Sequence, residues 1–292
     1  MNIFQNSNFK HIFVYDLEFI GDINDIKSCK IWDISILYVK TGETFGAVID
    51  PDPYVKHFPP PIVDGLFNLT RDFLNENNSK PFDRIWNKVY KWVNNRVYGE
   101  KCVFISHNNF SSDKLVLENH LSYYNIPTPV NWYFFDSLNY FRDNIRNIYD
   151  YSLKGLIKYL LKKEHIHAHR AEADTIMLYE CLKLYTKNIW NLSGPVYPMF
   201  VTSLRVMKGI GSAVEICFFK NGISSQEILM QQLKMFSQLG NANNKPYHIT
   251  IYQFIFDILR RDNIPLDNIK TVVNSACSRY VRTNFFNNIF YR

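Results

Sequence analysis

The sequence predicts an α/β protein: a mixed five-stranded sheet flanked by helices, followed by a smaller all-α domain. Apolar runs rich in Ile, Val, Phe and Tyr recur at short spacing as far as Asp50. From there to Lys187, strand-like runs alternate with helical periodicity. Beyond Leu192 only helical patterns remain.

The first strand is His11–Glu18 (HIFVYDLE), an apolar run that ends in carboxylates. Strands over Ile31–Val39 and Thr44–Ile49 follow closely, so the three read as an antiparallel meander. Phe58-Pro59-Pro60-Pro61-Ile62 must be a loop, because proline lacks the amide donor that regular structure uses. Helical patterns cover Val63–Asn75 and Pro81–Asn95; in the second, Phe82, Ile85, Val89 and Trp92 or Val93 share one face. A fourth strand, Lys101–Ser106, runs into His107-Asn108-Asn109, and Asp113 opens a helix carrying Leu115, Val116, Leu117 and Leu121. A fifth strand over Asn131–Phe135 ends at Asp136, and helices over Ser152–Leu161 and Ala171–Lys187 complete the region. The stretch NLSGPVYP, with its Gly and two Pro, marks a boundary near residue 192. The expected domains are therefore 1–191 and 192–292, the second interrupted at Gly240–Pro246.

Composition bounds the function without choosing it. With 292 residues, 47% hydrophobic and 21% charged, the chain can bury a proper core. A formal charge of +6 and a pI near 8.9 are compatible with a polyanionic partner but do not require one. Cys29, Cys102, Cys181, Cys217 and Cys277 are scattered and odd in number, which argues against a disulfide framework or a zinc knuckle and for a reducing compartment. Met1–Lys10 is polar and lacks a signal-peptide pattern, and no apolar run reaches the ~18 residues of a membrane span. The expectation is a soluble intracellular protein, cytoplasmic or nuclear, that is not secreted.

The chemistry lies in the acids. Asp16 and Glu18 are two apart on a strand, so their side chains leave one face while Leu17 leaves the other. Adjacent carboxylates repel unless a cation sits between them, which makes this strand end a candidate site for a hard divalent ion. Read separately, Asp113 suits a helix cap, Asp174 an exposed helix face, and His169 a polar stretch shared with His165 and His167. An imidazole can nevertheless take a proton from water near neutral pH.

Their order carries a family resemblance. Tyr15-Asp16-Leu17-Glu18 after a strand resembles the first motif of the DEDDh, or DnaQ-like, exonucleases of the RNase H-like superfamily. Ser106-His107-Asn108-Asn109-Phe110-Ser111-Ser112-Asp113 resembles the second, and His169-Arg170-Ala171-Glu172-Ala173-Asp174 the third, His-x-Ala-x-x-Asp. Phe135-Asp136-Ser137-Leu138 and Tyr151-Ser152-Leu153-Lys154-Gly155-Leu156 are also in that family's style. The resemblance spans about residues 8–187 and implies a 3′–5′ exonuclease that hydrolyses terminal phosphodiesters of DNA to nucleoside 5′-monophosphates. It implies that Asp16, Glu18, Asp113 and Asp174 hold two Mg²⁺ or Mn²⁺ ions and that His169 is the general base. Leu17, Phe19, Asn108 and Asn109 are implied in substrate binding. Phe19 stands where the family often has a hydroxyl residue, and either stacks on a base or packs. Either Asn108 or Asn109 fills the asparagine position.

In the C-terminal region, residues 199–223 around Lys208-Gly209-Ile210-Gly211 resemble a helix-hairpin-helix, whose Gly-x-Gly turn presents backbone amides to a phosphate. An ordinary αα turn uses glycine in the same way. Arg279, Arg282 and Arg292 lie among Tyr and Phe residues, as a nucleic-acid surface or as the solvated face of a packed helix. Nucleic acid is the expected partner, DNA ahead of RNA, with no membrane. No polymerase pattern is present, so proofreading would need a partner protein. The alternatives are a 3′–5′ exoribonuclease and a non-catalytic nucleic-acid-binding module.

Overall fold

The structure, a computed structural model, describes residues 3–4, 9–52, 54, 58, 68–164, 170–201, 204–242, 247–262 and 264–290, with backbone alone at 3–4, 212, 239–242, 247–248 and 281–290. By internal contacts the chain divides at Phe200/Val201. The sequence places the boundary at 191/192; the Pro-containing stretch there instead adds short strands at 194–198 to the first unit.

In that unit the strands are β1 (Ile3–Phe4), β2 (His11–Ile20), β3 (Lys30–Tyr38), β4 (Thr44–Asp50), β5 (Lys80–Pro81), β6 (Cys102–Ser106), β7 (Trp132–Asp136), β8 (Gly194–Pro195) and β9 (Tyr197–Pro198). The main sheet has the order β5-β4-β3-β2-β6-β7-β9. Its five long strands are those expected, and two two-residue strands extend the edges. β2, β3 and β4 form the antiparallel meander, while β6 and β7 run parallel to β2. β1 and β8 pair separately.

The helices are α1 (Arg71–Glu76), α2 (Phe82–Val97), α3 (Asp113–Tyr123), α4 (Ser137–Asn144), α5 (Leu153–Leu156, continued by a π-helical turn to Leu161) and α6 (Ala171–Thr186). The helix expected from Val63 is described only as α1, since residues 61–67 lie outside the described set. The prolines at 59–61 also lie outside it.

Strand alternation assigns the two faces of the sheet. Ile12 and Val14 of β2, with Val103, Ile105 and Phe135, pack against Leu178, Cys181 and Leu182 of α6. The odd residues of β2 face the other way: Phe13 stacks on Phe104 at 5.0 Å, and Phe104 and Trp86 of α2 both lean on Trp132. Asp16 and Glu18 continue the even series, so they face the α6 side.

The second unit is helical: α7 (Ser212–Lys220), α8 (Gln226–Ala242), α9 (Tyr247–Arg261) and α10 (Leu266–Phe290). Leu204, Phe218, Leu229, Leu233, Ile255, Leu259 and Val272 are among its core residues. A buried Arg205–Glu215 ion pair of 2.7 Å ties the segment before α7 to that helix. No helix among the described residues is long and apolar enough to cross a membrane.

The β2–β3 connection requires glycine at its start. Gly21 has φ +109°, and a Cβ there would stand 2.5 Å from the Ser28 carbonyl oxygen. Gly21→Ala should therefore cost about 1–3 kcal/mol in urea unfolding. Gly46→Ala, whose Cβ would find nothing closer than 3.9 Å, should stay within about 0.5 kcal/mol. Equal midpoints for the two variants would contradict this account.

Candidate active site

The acidic site begins with an overhang. The β2–β6 pairing ends at Val14↔Ile105, whereas β2 continues to Ile20 beside β3, so Asp16 and Glu18 stand beyond the end of β6. Asp16 pairs with Ser35 and Glu18 with Asp33. Directly after Glu18 the register slips: Phe19 pairs with Ile31, which leaves Trp32 as an extra residue on β3. Such a bulge turns the strand and re-aims the side chains next to it.

Helix α6 crosses this face and brings Asp174, one turn from its N-terminus and 8% exposed. Carboxylate oxygens of Asp16, Glu18 and Asp174 all lie within 4.8 Å of one another. That closeness to Asp174, on top of burial, favours the protonated form of Glu18. Asp113 joins from the other side of the strand. It is the first residue of α3, is buried, and its Oδ1 accepts the Leu17 amide hydrogen at 2.9 Å. That bond pins Asp113 to the peptide between Asp16 and Glu18. Oxygen donors crowded this closely fit a hard divalent cation such as Mg²⁺ or Mn²⁺.

The second motif is held by buried hydrogen bonds. Asn109 is fully buried; it accepts from the Tyr15 hydroxyl and donates to the Phe135 carbonyl at 2.8 Å. Asn108 is exposed and takes the left-handed conformation, φ 60°. Of the two candidate asparagines, Asn109 thus occupies the structural position, four residues before Asp113. Asp136, at the end of β7, accepts the Phe110 amide with one oxygen and the Leu138 amide with the other. His107 bridges Ser137 and the Tyr151 carbonyl, and burial lowers its pKa to about 4, so it is neutral at pH 7.

The Leu17 side chain is buried, whereas Phe19 is partly exposed beside the acids. His165, His167 and His169 lie outside the described residues. Lys208, Gly209 and Gly211 belong to the helical unit, where they line an open hollow of about 530 Å³. Among the described residues, the first helix expected of the hairpin is a 3₁₀ turn, Leu204–Val206; residues 202–203 lie outside them. Gly209 has φ +90°, and its Cβ would meet Thr271 at 3.0 Å, so local packing already calls for glycine. Arg279 lies in α10, while the Arg282 side chain and Arg292 are outside the described set.

One acid beside the cluster belongs to none of the three motifs. Asp33 is 4% exposed and stands across from Glu18. It accepts from Arg170 Nε at 2.9 Å and from the Ala171 amide at 3.3 Å. A lone acid inside the apolar strand IWDISILYV was the available signal, since an acid is rarely buried without a partner.

Electrostatically the acids behave as one group. Burial, then the charges of Asp113, Glu18, Asp174 and Asp33, hold Asp16 well above the usual carboxylate range. Burial and Asp174 push Glu18 up to about 9, and burial pushes Asp113 up to about 7.

No family model and no curated protein sequence matches the chain. Solved structures share its fold. Exonuclease I of E. coli, in a zinc-bound complex with single-stranded DNA, aligns with a TM-score of 0.50 at 16% identity, over 61% of this chain and 40% of its own. The nuclease domain of 3′hExo, a DEDDh family member bound to rAMP, gives 0.50 at 14% identity over 65% of this chain and 99% of its own. A 3′-exonuclease that recognises the histone mRNA stem-loop gives 0.51 at 12% identity, over 65% and 74%. The chain thus spans less than half of exonuclease I. At such identities these likenesses establish the fold, a central sheet flanked by helices.

The raised carboxyl pKa values predict how metal-free stability varies with pH. Folded Glu18 keeps its proton up to about pH 9, against an ordinary value of 4.5. Between those values the folded state binds more protons than the unfolded state, so this group's contribution to stability falls as pH rises. In chelator, Glu18→Gln should raise the Tm at pH 8 and flatten its decline between pH 5 and 9. An unchanged Tm at pH 8 would show that these acids do not repel as described.

Proposed function

We propose that the chain is a metal-dependent 3′–5′ exonuclease that removes nucleoside 5′-monophosphates from DNA, with the first unit, through Phe200, as the nuclease domain and the helical unit from Val201 as an accessory domain. One observation carries this reading: acids from the first and third motifs, more than 150 residues apart in the chain, gather their oxygens within 4.8 Å, with Asp113 of the second motif bound to the peptide between two of them. A protein that only bound nucleic acid would have no physical use for that crowding, which costs stability at neutral pH.

Asp16, Glu18, Asp113 and Asp174 would hold two Mg²⁺ or Mn²⁺ ions. Such ions, when bound, make water more acidic and offset charge on a phosphodiester. The protein's own residues do the rest. Asp113, fixed by the Leu17 amide, and Asp174, fixed on α6, keep the acids in place. His169, immediately before Arg170 and α6, accepts the proton of the attacking water. Phe19, partly exposed next to Glu18, offers a ring on which the terminal base can stack, and Asn108, exposed on the turn, offers a second contact to the substrate. Asn109 and the Leu17 amide act by holding the second motif. In the accessory domain Lys208, Gly209 and Gly211 would meet a phosphate backbone, with no base reading.

An exoribonuclease is the second reading, favoured by the fold's likeness to an rAMP-bound nuclease domain and to the histone mRNA stem-loop exonuclease. One assay separates them: 3′- and 5′-labelled DNA and RNA, single- and double-stranded, with Mg²⁺ and with Mn²⁺. Mononucleotide release from the 3′ end of DNA is expected, and Asp174→Ala should abolish it while leaving the fold intact. Full activity in that variant would remove these residues from the reaction.

His169→Ala should slow the reaction on the order of 10²–10⁴-fold, and a normal rate at pH 7 would exclude it as the base. Lys208→Glu should weaken binding of long strands, with a smaller salt dependence, and spare dinucleotides. Unchanged affinity for long strands would leave the hollow around Gly209 a purely structural turn.

A further inference from the structure

We infer that Asp33 is a positioning residue that sets where Asp174 stands in the acidic cluster, an inference that rests on the metal-binding reading of that cluster. Helix α6 has no local N-cap: Arg170 occupies the cap position and makes no side-chain capping bond. The first turn of a helix carries amides that need an acceptor and a partial positive charge that favours an anion. Asp33 supplies both from a strand 138 residues away, through its bond to the Ala171 amide. The same oxygen, Oδ2, accepts from Arg170 Nε, so one carboxylate grips the cap residue and the first helical residue together.

The grip fixes the helix against the strand that carries the other acids. Asp33 is opposite Glu18, and Ser35 is opposite Asp16. Thr175 of α6 reaches the Ser35 carbonyl at 3.4 Å, and the Asp174 amide donates to the Arg170 carbonyl in the first turn. Asp174 is thus tied through its own backbone to a residue that Asp33 holds. Arg170 is further confined, with its guanidinium 5.1 Å from the Phe73 ring and 6.0 Å from the Trp32 ring. Both bonds run from Asp33 Oδ2 to the start of α6, so Asp33 orients the acids through that helix, and Arg170 offsets part of the charge it adds to theirs.

Supporting groups that orient metal ligands typically change metal affinity by about 10–100-fold when removed. The test is Mn²⁺ binding to the full chain, followed by electron paramagnetic resonance and needing no turnover. Asp33→Ala should weaken Mn²⁺ by that factor. Asp33→Asn retains an acceptor for the Ala171 amide and covers the case in which the alanine variant fails to fold; it should weaken Mn²⁺ less. Arg170→Gln separates position from charge. It removes the positive charge and one of the two bonds on Asp33, so positioning predicts weaker Mn²⁺ binding, while a mere effect of charge predicts tighter binding. Native affinity in both Asp33 variants, or tighter binding in Arg170→Gln, would overturn the inference. If the unaltered chain bound no Mn²⁺, the reading of the cluster itself would fall first.

Discussion

Repulsion among carboxylates is the constraint around which the first unit is arranged. Asp16, Glu18 and Asp174 crowd their oxygens together, Asp113 lies one peptide away, and Asp33 stands behind them. In water such a set would separate; here burial raises the cost of each charge further. The fold answers in three ways. Asp16 and Glu18 favour their protonated forms, a backbone amide holds Asp113, and Arg170 with the start of α6 partly offsets Asp33. What remains uncompensated is the cluster itself, and a divalent cation is the simplest chemical partner for it.

The architecture that tolerates this is a sheet in which one long strand outruns its parallel neighbour. Because β2 passes the end of β6, two acids on one face stand clear of the apolar layer formed by Ile12, Val14 and α6. The opposite face is filled by stacked aromatic rings, Phe13, Phe104 and Trp132 among them, which makes the strand a rigid support. Buried polar groups then anchor the turn that carries the second motif: Asn109 to Tyr15 and Phe135, Asp136 to two amides. None of these anchors lies in the acidic cluster; together they fix the turn that leads to Asp113.

Much of this was legible in the sequence where local pattern and chemistry coincide. The alternation in HIFVYDLE placed Asp16 and Glu18 on one face, and the five long strands follow from apolar runs bounded by turn residues. Features that depend on distant pairing were not legible. Asp33 looked like any acid in a strand until the fold set it against α6, a contact across 138 positions. The bulge after Glu18, the two edge strands and the choice between Asn108 and Asn109 are likewise consequences of register, which no local window contains. Pro195 and Pro198 read as linker residues, yet Tyr197–Pro198 pairs with β7 at the sheet edge, where a proline's missing amide costs nothing. In the helical unit, Gly209 matched a phosphate-binding turn by spacing alone; its positive φ and the nearby Thr271 are a sufficient local reason for the glycine.

The most direct measurement is crystallographic: crystals of the full chain soaked in Mn²⁺, with anomalous scattering collected at the manganese edge. The account predicts two peaks about 3.5–4 Å apart among Asp16, Glu18, Asp113 and Asp174, both lost in Asp174→Ala. Well-ordered carboxylates with no anomalous density between them would contradict it.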